Sequence, residues 1–259
     1  MNALGFSGGP ALNIQAACAG YNTALVLAKM LLDNGVADDM LVVGCDFPNT
    51  GEDVWHFAQM RALLTEGDPF DVCRPFQVGT RGFVTGEGAG AVVLTRQETA
   101  SPYGQLLGGA MNHDPYHPIG INPDIRAVLD VYQAALADAK VAGSDVNYFN
   151  AHGAGTTQGD PVEIAVLSQL LPRAGLFAVQ PLTGHAHGAS GVLELSATLL
   201  AGRHGKLAVA PRVAQAHPDL IAAGREGDLL SGVNDYAGGI TVKGSMGMGG
   251  YTAVVIVGQ

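Results

Sequence analysis

The sequence contains few charged residues, and among these basic residues are the minority. Only 14% of its 259 residues are Asp, Glu, Lys or Arg, which is well below the quarter that soluble proteins usually carry. Because 47% of the residues are apolar, the composition excludes a disordered chain, which needs many charges and little apolar surface. The formal net charge is −10, so we expect repulsion from phosphate backbones and no binding to nucleic acid.

Long apolar runs and paired cysteines are also missing. The longest apolar runs, such as 253–257, are too short to cross a bilayer. The first ten residues lack the basic stretch and apolar core of a signal peptide. Cys18, Cys45 and Cys73 form neither a CxxC pair nor an even framework. We therefore predict a reduced, cytoplasmic protein in which a single cysteine is either core filler or a reactive thiol.

Glycine, by contrast, is abundant, with 37 residues, about twice the average share. It follows no Gly-X-Y period, which excludes collagen. Short apolar runs alternate with helix-like stretches, and this order indicates an α/β fold in which helices cover a sheet. A polar stretch with a proline at 97–104 is the best internal boundary, and a similar order of elements on its two sides suggests a repeat. We predict two related halves, 1–104 and 105–259.

The predicted elements follow from apolar periodicity and from turn residues. The predicted strands are short apolar runs at 10–15, 40–44, 89–95, 106–111, 146–151, 177–179, 238–243 and 251–257. The predicted helices have apolar residues at helical spacing and cover 18–33, 125–139, 160–171 and 188–202. Asp160 is expected to cap the third of these helices.

Cys18 lies in the stretch AACAG, where a predicted strand meets the start of a predicted helix. Backbone N–H groups are unpaired at such a point, and the helix dipole favours a thiolate there. The same N–H groups could hold an oxyanion. Cys18 is therefore a candidate nucleophile, and the alternative is a small cysteine buried in a tight corner.

Two histidines lie on glycine-rich loops after predicted strands. His152 lies in NAHGAGTTQGD and His185 in GHAHGASG, and ligands of open α/β sheets gather at the carboxyl ends of strands. Together with Cys18 they form a Cys/His/His set. A metal site is the competing interpretation, but no HxxxH or CxxC spacing supports it, so we predict no metal. The glycines of 244–250 indicate either a backbone close to a ligand or an ordinary hairpin turn.

In chain order, these motifs resemble those of the β-ketoacyl synthase (condensing enzyme) family of the thiolase fold. The matching stretches are AACAG at 16–20, RPF…RGFVTGEGAGAVVL at 74–94, NAHGAGTTQGD at 150–160, GHAHGASG at 184–191 and GSMGMGG at 244–250. The resemblance covers nearly the whole chain. It implies an α/β, thiolase-like layered fold of two related halves. The first half would be incomplete, because family members carry a substantial further segment before the nucleophile.

The resemblance also implies a mechanism. Cys18 would accept an acyl chain from an acyl carrier protein, and His152 and His185 would hydrogen-bond the malonyl thioester carbonyl during decarboxylation. The resulting carbanion would attack acyl-Cys18. No cofactor is expected beyond the phosphopantetheine that carries the substrate on its carrier protein.

Some positions depart from the family pattern. The family has a lysine five residues before the second histidine, paired with a glutamate. The corresponding residues here are Gln180 and Glu194, so Glu194 is expected to lack its cation and to be protonated or hydrogen-bonded to Gln180. The gating phenylalanine is replaced by Met248, between Gly247 and Gly249. The N–H groups of Met248 and of the nucleophile match the family's oxyanion hole.

Two functions in fatty-acid or type II polyketide assembly follow from this resemblance. The departures and the missing N-terminal portion favour a chain-length-factor-like partner that forms a heterodimer with a complete ketosynthase. The retained Cys18, His152 and His185 support the alternative, a competent ketosynthase that condenses acyl-Cys18 with a malonyl carrier protein. The family's dimer interface corresponds to 10–15, and an incomplete sheet would expose an apolar edge unless a partner covers it.

Overall fold

The computed structural model describes residues 9–60, 63–68 and 72–259. Its strands are β1 (Asp39–Asp46), β2 (Gly88–Thr95), β3 (Gln105–His113), β4 (Val146–Asn150), β5 (Gly175–Phe177), β6 (Lys206–Ala208), β7 (Val233–Asp235), β8 (Ile240–Gly247) and β9 (Tyr251–Gly258). Its α-helices are α1 (Gly20–Asp33), α2 (Gly51–Gln59), α3 (Arg126–Ala139), α4 (Gly159–Leu170), α5 (Gln180–Thr183), α6 (Ser190–His204) and α7 (Pro218–Ala222). None of these helices is long and apolar enough to cross a membrane.

A five-stranded sheet in the order β3-β9-β8-β4-β5 forms the centre of the fold. Strand β9 is antiparallel to both of its neighbours, β3 and β8, whereas β8, β4 and β5 run parallel to one another. Along β9, Val254 and Ile256 pack with α3 and α4, while Val255 and Val257 pack with α1 and α6. Both faces of the sheet are therefore covered, which explains the uninterrupted apolar run of β9. The predicted layered α/β, thiolase-like fold class is confirmed.

Helices α1 and α6 begin with the same local backbone. A single turn of 3-10 helix, 17–19 or 187–189, precedes each helix. The first residue of each turn is left-handed, with φ of 46° at Ala17 and 44° at His187. The two helices touch near their N-termini, where a Cβ added to Gly191 would lie 2.9 Å from the Cβ of Tyr21. This contact places the turn that carries Cys18 beside the turn at 187–189.

Strands β1 and β2 form a separate two-stranded antiparallel sheet. Val42 packs toward α1 and α6, but Val43 and Val93 are 57% and 59% exposed. The predicted strand at 40–44 lies within β1, but only part of it is buried. One face of β1 and β2 is open because no other element of the described residues covers it. The division of the chain at residue 104 stays a prediction.

The expected strand at 10–15 is also wrong, since these residues pair with no strand in the described part of the chain. The central sheet offers a comparison, because there a strand flanks each side of the antiparallel pair β8 and β9, namely β4 and β3. The antiparallel pair β1 and β2 has no such flanking strand among the described residues. Residues 10–15 therefore have no backbone partner with which to form a ladder.

Asp160 does not cap α4 as expected, because Gln158 precedes the helix and Asp160 lies within its first turn. The Asp160 carboxylate instead accepts hydrogen bonds from the Phe76 backbone N–H at 2.6 Å and from the Thr80 hydroxyl at 2.9 Å. Burial raises its pKa to about 7. Asp160 thus ties the loop around Phe76 to the helix that follows the His152 loop.

Candidate active site

The structure brings Cys18, His152 and His185 together in one cavity of about 390 Å³. The Cys18 Sγ lies 3.0 Å from the His185 Nε2, and the ring centroids of His152 and His185 are 5.2 Å apart. Cys18 comes from the turn before α1, His152 from the loop after β4, and His185 from the loop between α5 and α6. The predicted Cys/His/His set is thus assembled from three distant parts of the chain.

Cys18 is buried, and its environment favours the neutral thiol. Burial raises its pKa to about 12, and the nearby carboxylates of Asp46 and Glu194 add to this effect. The backbone N–H groups of Cys18 and Met248 hydrogen-bond the sulfur and oppose the rise. We expected the helix start to favour a thiolate, and this was wrong, because the loss of water around the sulfur outweighs the N–H groups. Ionisation therefore requires a base, and the His185 Nε2 is adjacent.

Of the two roles predicted for the glycines at 244–250, the structure shows the hairpin turn. They form the hairpin turn between β8 and β9, in which Gly249 is left-handed with φ of 84°. The same backbone passes against the nucleophile, since a Cβ on Gly247 would lie 2.8 Å from the Ala16 carbonyl oxygen and 3.1 Å from the Cys18 nitrogen. This close approach brings the Met248 N–H to the sulfur.

His185 is held through its backbone and its side chain. Its N–H donates to the Val84 carbonyl at 2.7 Å, and its carbonyl accepts from the Gly86 N–H at 2.9 Å. The Ser190 hydroxyl lies 3.0 Å from its Nδ1. A hydroxyl can donate or accept, so Ser190 is compatible with either neutral tautomer. Burial holds the pKa of His185 well below its ordinary value, and the ring is therefore neutral.

His152 is anchored by Glu163, which the sequence analysis did not single out. The Glu163 carboxylate accepts from the N–H groups of His152 and Gly153 at 2.5 and 2.8 Å. The Gln180 Nε2 lies 3.3 Å from the His152 Nδ1, and its donation there leaves the proton of the neutral ring on Nε2. Burial and the charge of Lys243 lower the pKa of His152 to about 3. The sequence signal for Glu163 was its place one turn after Asp160, as the second of the two charged residues in α4.

The expectation that Glu194 lacks a cation is wrong. The Nζ of Lys243 lies 2.6 Å from the Glu194 Oε2, and both side chains are 1% exposed. Burial raises the pKa of the Glu194 carboxyl, while Lys243 and the nearby Gln180 amide oppose the rise. The cation thus comes from β8 instead of position 180. Its sequence signal was a lone lysine within an otherwise uncharged strand.

The side chain of His187 also lines the cavity that holds Cys18, His152 and His185. It is buried, its Nε2 has no hydrogen-bond partner among the described residues, and its ring stacks on Phe57 with centroids 4.3 Å apart. The sequence placed His187 in the motif of His185 without assigning it a role.

These groups together define a class of site. A buried thiol beside an imidazole, a second neutral imidazole and two backbone N–H groups form a site suited to cysteine-dependent acyl transfer. The residues lie at the edge of a layered α/β fold, after β4 and before α1 and α6.

Comparison with known proteins assigns the family. Residues 2–100 match the sequence model described as the N-terminal domain of β-ketoacyl synthase, and residues 103–213 match the model of its C-terminal domain. The chain belongs to the β-ketoacyl synthase family.

Curated relatives include 3-oxoacyl-[acyl-carrier-protein] synthase 2 of Staphylococcus aureus, which is 32% identical over 252 residues. The alignment covers 93% of this chain and 59% of the relative. The chloroplastic synthase II of Arabidopsis thaliana is also 32% identical, over 96% of this chain and 47% of its own length. The chain thus spans about half to three fifths of the length of these relatives.

Solved structures agree with this assignment. A type II polyketide ketosynthase in complex with its acyl-carrier protein superimposes with a TM-score of 0.87 at 26% identity, covering 96% of this chain and 63% of that one. The ishigamide ketosynthase/chain length factor superimposes with a TM-score of 0.85 at 25% identity, covering 96% of this chain and 60% of that one.

The buried ion pair yields a stability prediction. We expect Lys243→Met to lower the free energy of unfolding by about 3 kcal/mol or more, because it leaves Glu194 buried without its cation. Adding Gln180→Lys should restore part of the loss, since the side chain at position 180 already reaches Glu194. Urea unfolding measures both changes.

The matched control for this prediction is Lys206→Met, which removes a cation paired with the largely exposed Asp235. It should cost less than about 1 kcal/mol. Equal losses in Lys243→Met and Lys206→Met would contradict the assigned importance of the buried pair.

The raised pKa of Cys18 yields a prediction of pH dependence. Because thiolate is the reactive form, alkylation of Cys18 by iodoacetamide should accelerate about tenfold per pH unit between roughly pH 7 and 9. Mass spectrometry of the alkylated peptides measures the rate, with the exposed Cys45 as an internal comparator. A Cys18 rate that levels off below about pH 8 would instead indicate a stable thiolate.

Proposed function

We propose that this chain catalyses decarboxylative condensation of thioesters, with Cys18 as the acyl-accepting nucleophile. The observation that carries the proposal is the 3.0 Å contact between the Cys18 Sγ and the His185 Nε2, with two backbone N–H groups on the same sulfur. A subunit with a purely structural role has no need for this arrangement. The chain-length-factor role favoured by the sequence departures is the second candidate.

In the first step, the Cys18 thiol passes its proton to the His185 Nε2 and the sulfur attacks the carbonyl carbon of an acyl thioester. The N–H groups of Cys18 and Met248 lie at the sulfur, where they would stabilise the oxyanion of the tetrahedral intermediate. Collapse breaks the bond to the departing thiolate, which takes the proton back from His185. The acyl group is then bonded to Cys18.

In the second step, a malonyl thioester loses its carboxylate as CO₂. The electron pair of the broken C–C bond becomes an enolate, whose oxygen needs hydrogen-bond donors. Donation from Gln180 to the His152 Nδ1 leaves a proton on Nε2 for this purpose. His185 returns its Nε2 proton in the first step, so it can donate from Nε2 once its ring proton has exchanged from Nδ1 to Nε2 and the Ser190 hydroxyl donates to Nδ1. Low pKa values keep both rings neutral, so neither ring gives the enolate a full proton.

In the third step, the α-carbon of the enolate attacks the acyl-Cys18 carbonyl and the C–S bond breaks. The product is a β-ketoacyl thioester that is two carbons longer than the acyl group. The released thiolate of Cys18 takes up one proton from solvent and returns to the thiol that burial favours. The acyl and malonyl groups would arrive on the phosphopantetheine of an acyl carrier protein, which is consistent with the carrier-protein complex among the structural neighbours.

The catalytic role is tested with single variants of the chain, assayed with a candidate partner ketosynthase whose own cysteine is intact. Cys18→Ala should abolish acylation of this chain and lower elongation to the level that the partner supports alone, because no other nucleophile of this chain takes the place of Cys18. Intact-protein mass spectrometry detects the acyl group, and product analysis measures elongation.

The control for this test is Cys45→Ser, which alters an exposed cysteine away from the cavity and should leave both readouts unchanged. Undiminished elongation by the Cys18→Ala variant would contradict the catalytic role and favour the chain-length-factor role.

The second candidate function, a heterodimer with a complete ketosynthase, is favoured by the open sheet. The outer face of β1 and β2 exposes Val43 and Val93, and both outer edges of this sheet are unpaired among the described residues. Such a surface favours association. The ketosynthase/chain length factor among the structural neighbours is consistent with this kind of partner.

The association is tested by charging this face. Val43→Lys and Val93→Lys should each weaken co-purification with a candidate ketosynthase on size-exclusion chromatography, because they place a cation in an apolar contact. The control is Val233→Lys on β7, where the valine is 74% exposed and lies in a different sheet. A stable monomer that retains malonyl decarboxylation would contradict the partner role.

A further inference from the structure

We propose that Cys18, His185 and His187 form a binding site for a Zn²⁺-type cation at the base of the active-site cavity. The three ligand atoms all lie within 4.8 Å of one another. Thiolate and neutral imidazole are the ligands that Zn²⁺ prefers in proteins. Among the described residues, this is the one group of three His, Cys, Asp or Glu side chains placed closely enough to share an ion.

The spacing of the ligands fits tetrahedral coordination. Bonds of about 2.3 Å to sulfur and about 2.0 Å to nitrogen place such ligands about 3.5 Å apart. Cys18 and His185 are 3.0 Å apart, so a modest side-chain movement admits the ion between them. The ion would then have three protein ligands and a fourth coordination position open to the cavity, which is the pattern of accessible zinc sites.

His187 is the residue that makes this site distinct from the catalytic set. Its Nε2 is buried without a hydrogen-bond partner among the described residues, although buried polar atoms are normally paired. The ring is held in place by stacking on Phe57 and by an edge contact with Phe83. An unpaired nitrogen on a fixed ring is a ready ligand. Burial also lowers the pKa of His187, which keeps it in the neutral form that binds metal.

The other two ligands are also prepared for a cation. The Ser190 hydroxyl lies against the His185 Nδ1, so donation from Nδ1 to Ser190 leaves Nε2 free to coordinate, a common arrangement around metal-bound histidine. Binding would release the Cys18 proton, because the metal is bound by the thiolate. The metal alternative considered from the sequence used His152 as a ligand. In the proposed site the ligand is His187 instead, because the His152 Nδ1 contacts Gln180.

The consequence for activity rests on the proposed function. Coordination and acylation both use the Cys18 sulfur, so a bound cation and an acyl group exclude one another. The site would therefore act as a reversible block on the nucleophile. The binding itself does not depend on whether the chain catalyses condensation.

The binding is tested on the full chain by titration with Co²⁺, a spectroscopic substitute for Zn²⁺, and by competition for Zn²⁺ with a chromophoric chelator. We expect one equivalent to bind and a thiolate-to-cobalt charge-transfer band to appear. Cys18→Ser should remove this band, and His187→Asn should weaken Zn²⁺ binding by about 10-fold or more. Asparagine is chosen because it tolerates the left-handed backbone at position 187.

The control variants are Cys45→Ser and His204→Asn, which alter an exposed cysteine and an exposed histidine outside the cavity and should bind as the unaltered chain does. Circular dichroism verifies that all variants are folded. Zn²⁺ should also protect Cys18 from iodoacetamide, a readout that needs no substrate. Equal binding by the Cys18→Ser variant, or no protection of Cys18, would overturn the site.

A condensation assay separates this proposal from the proposed function. Inhibition by Zn²⁺ that a chelator reverses supports both. If Zn²⁺ binds and protects Cys18 in a chain that shows no condensation activity, the metal site stands and the catalytic role fails.

Discussion

The contact between the N-terminal ends of α1 and α6 is the constraint on which the site depends. Gly191 allows α6 to approach Tyr21 of α1 so closely that a Cβ there would lie 2.9 Å from the Tyr21 Cβ. The buried Asn22 amide then joins α1 to the central sheet by donating to the carbonyls of Lys243 and Ala253 at 3.1 and 3.2 Å. Both helices are thereby held against the edge where β8 turns into β9. Cys18, the neighbouring imidazole of His185 and the Met248 N–H group meet at that edge, because these contacts hold both helix ends in place.

Burial controls the electrostatics of the site more strongly than any single charge. It raises the pKa of Cys18 to about 12 and lowers that of His152 to about 3, so thiol and imidazole are both neutral at rest. The pair of Lys243 and Glu194 is the exception, because its two opposite charges lie only 2.6 Å apart and stabilise each other. A neutral resting site suits a reaction in which charge develops only briefly, first on sulfur and then on oxygen, since the fixed N–H donors are already in place. The Nε2 of His187 is likewise buried, and it has no hydrogen-bond partner among the described residues.

The open face of β1 and β2 connects the fold to the question of partners. The central sheet has helices on both faces, but Val43 and Val93 are exposed on the smaller sheet. Cys18, His152 and His185 are buried and lie in neither β1 nor β2, so the proposed acyl transfer and the proposed association through β1 and β2 are compatible. The two proposed roles differ in what Cys18 does in an assembled complex. They do not differ in how the chain folds.

The sequence by itself determined the layered α/β class, most helices and strands, and the membership of the Cys18, His152 and His185 set, because apolar periodicity and glycine-rich loops are local signals. It could not predict the open face at Val43 or the unpaired segment 10–15, since strand pairing depends on neighbours that are distant in sequence. Only the tertiary structure decided that Lys243 supplies the cation for Glu194 and that the thiol is protonated. Both depend on desolvation and on side-chain distances across the fold, and neither quantity is encoded in the spacing of residues along one segment.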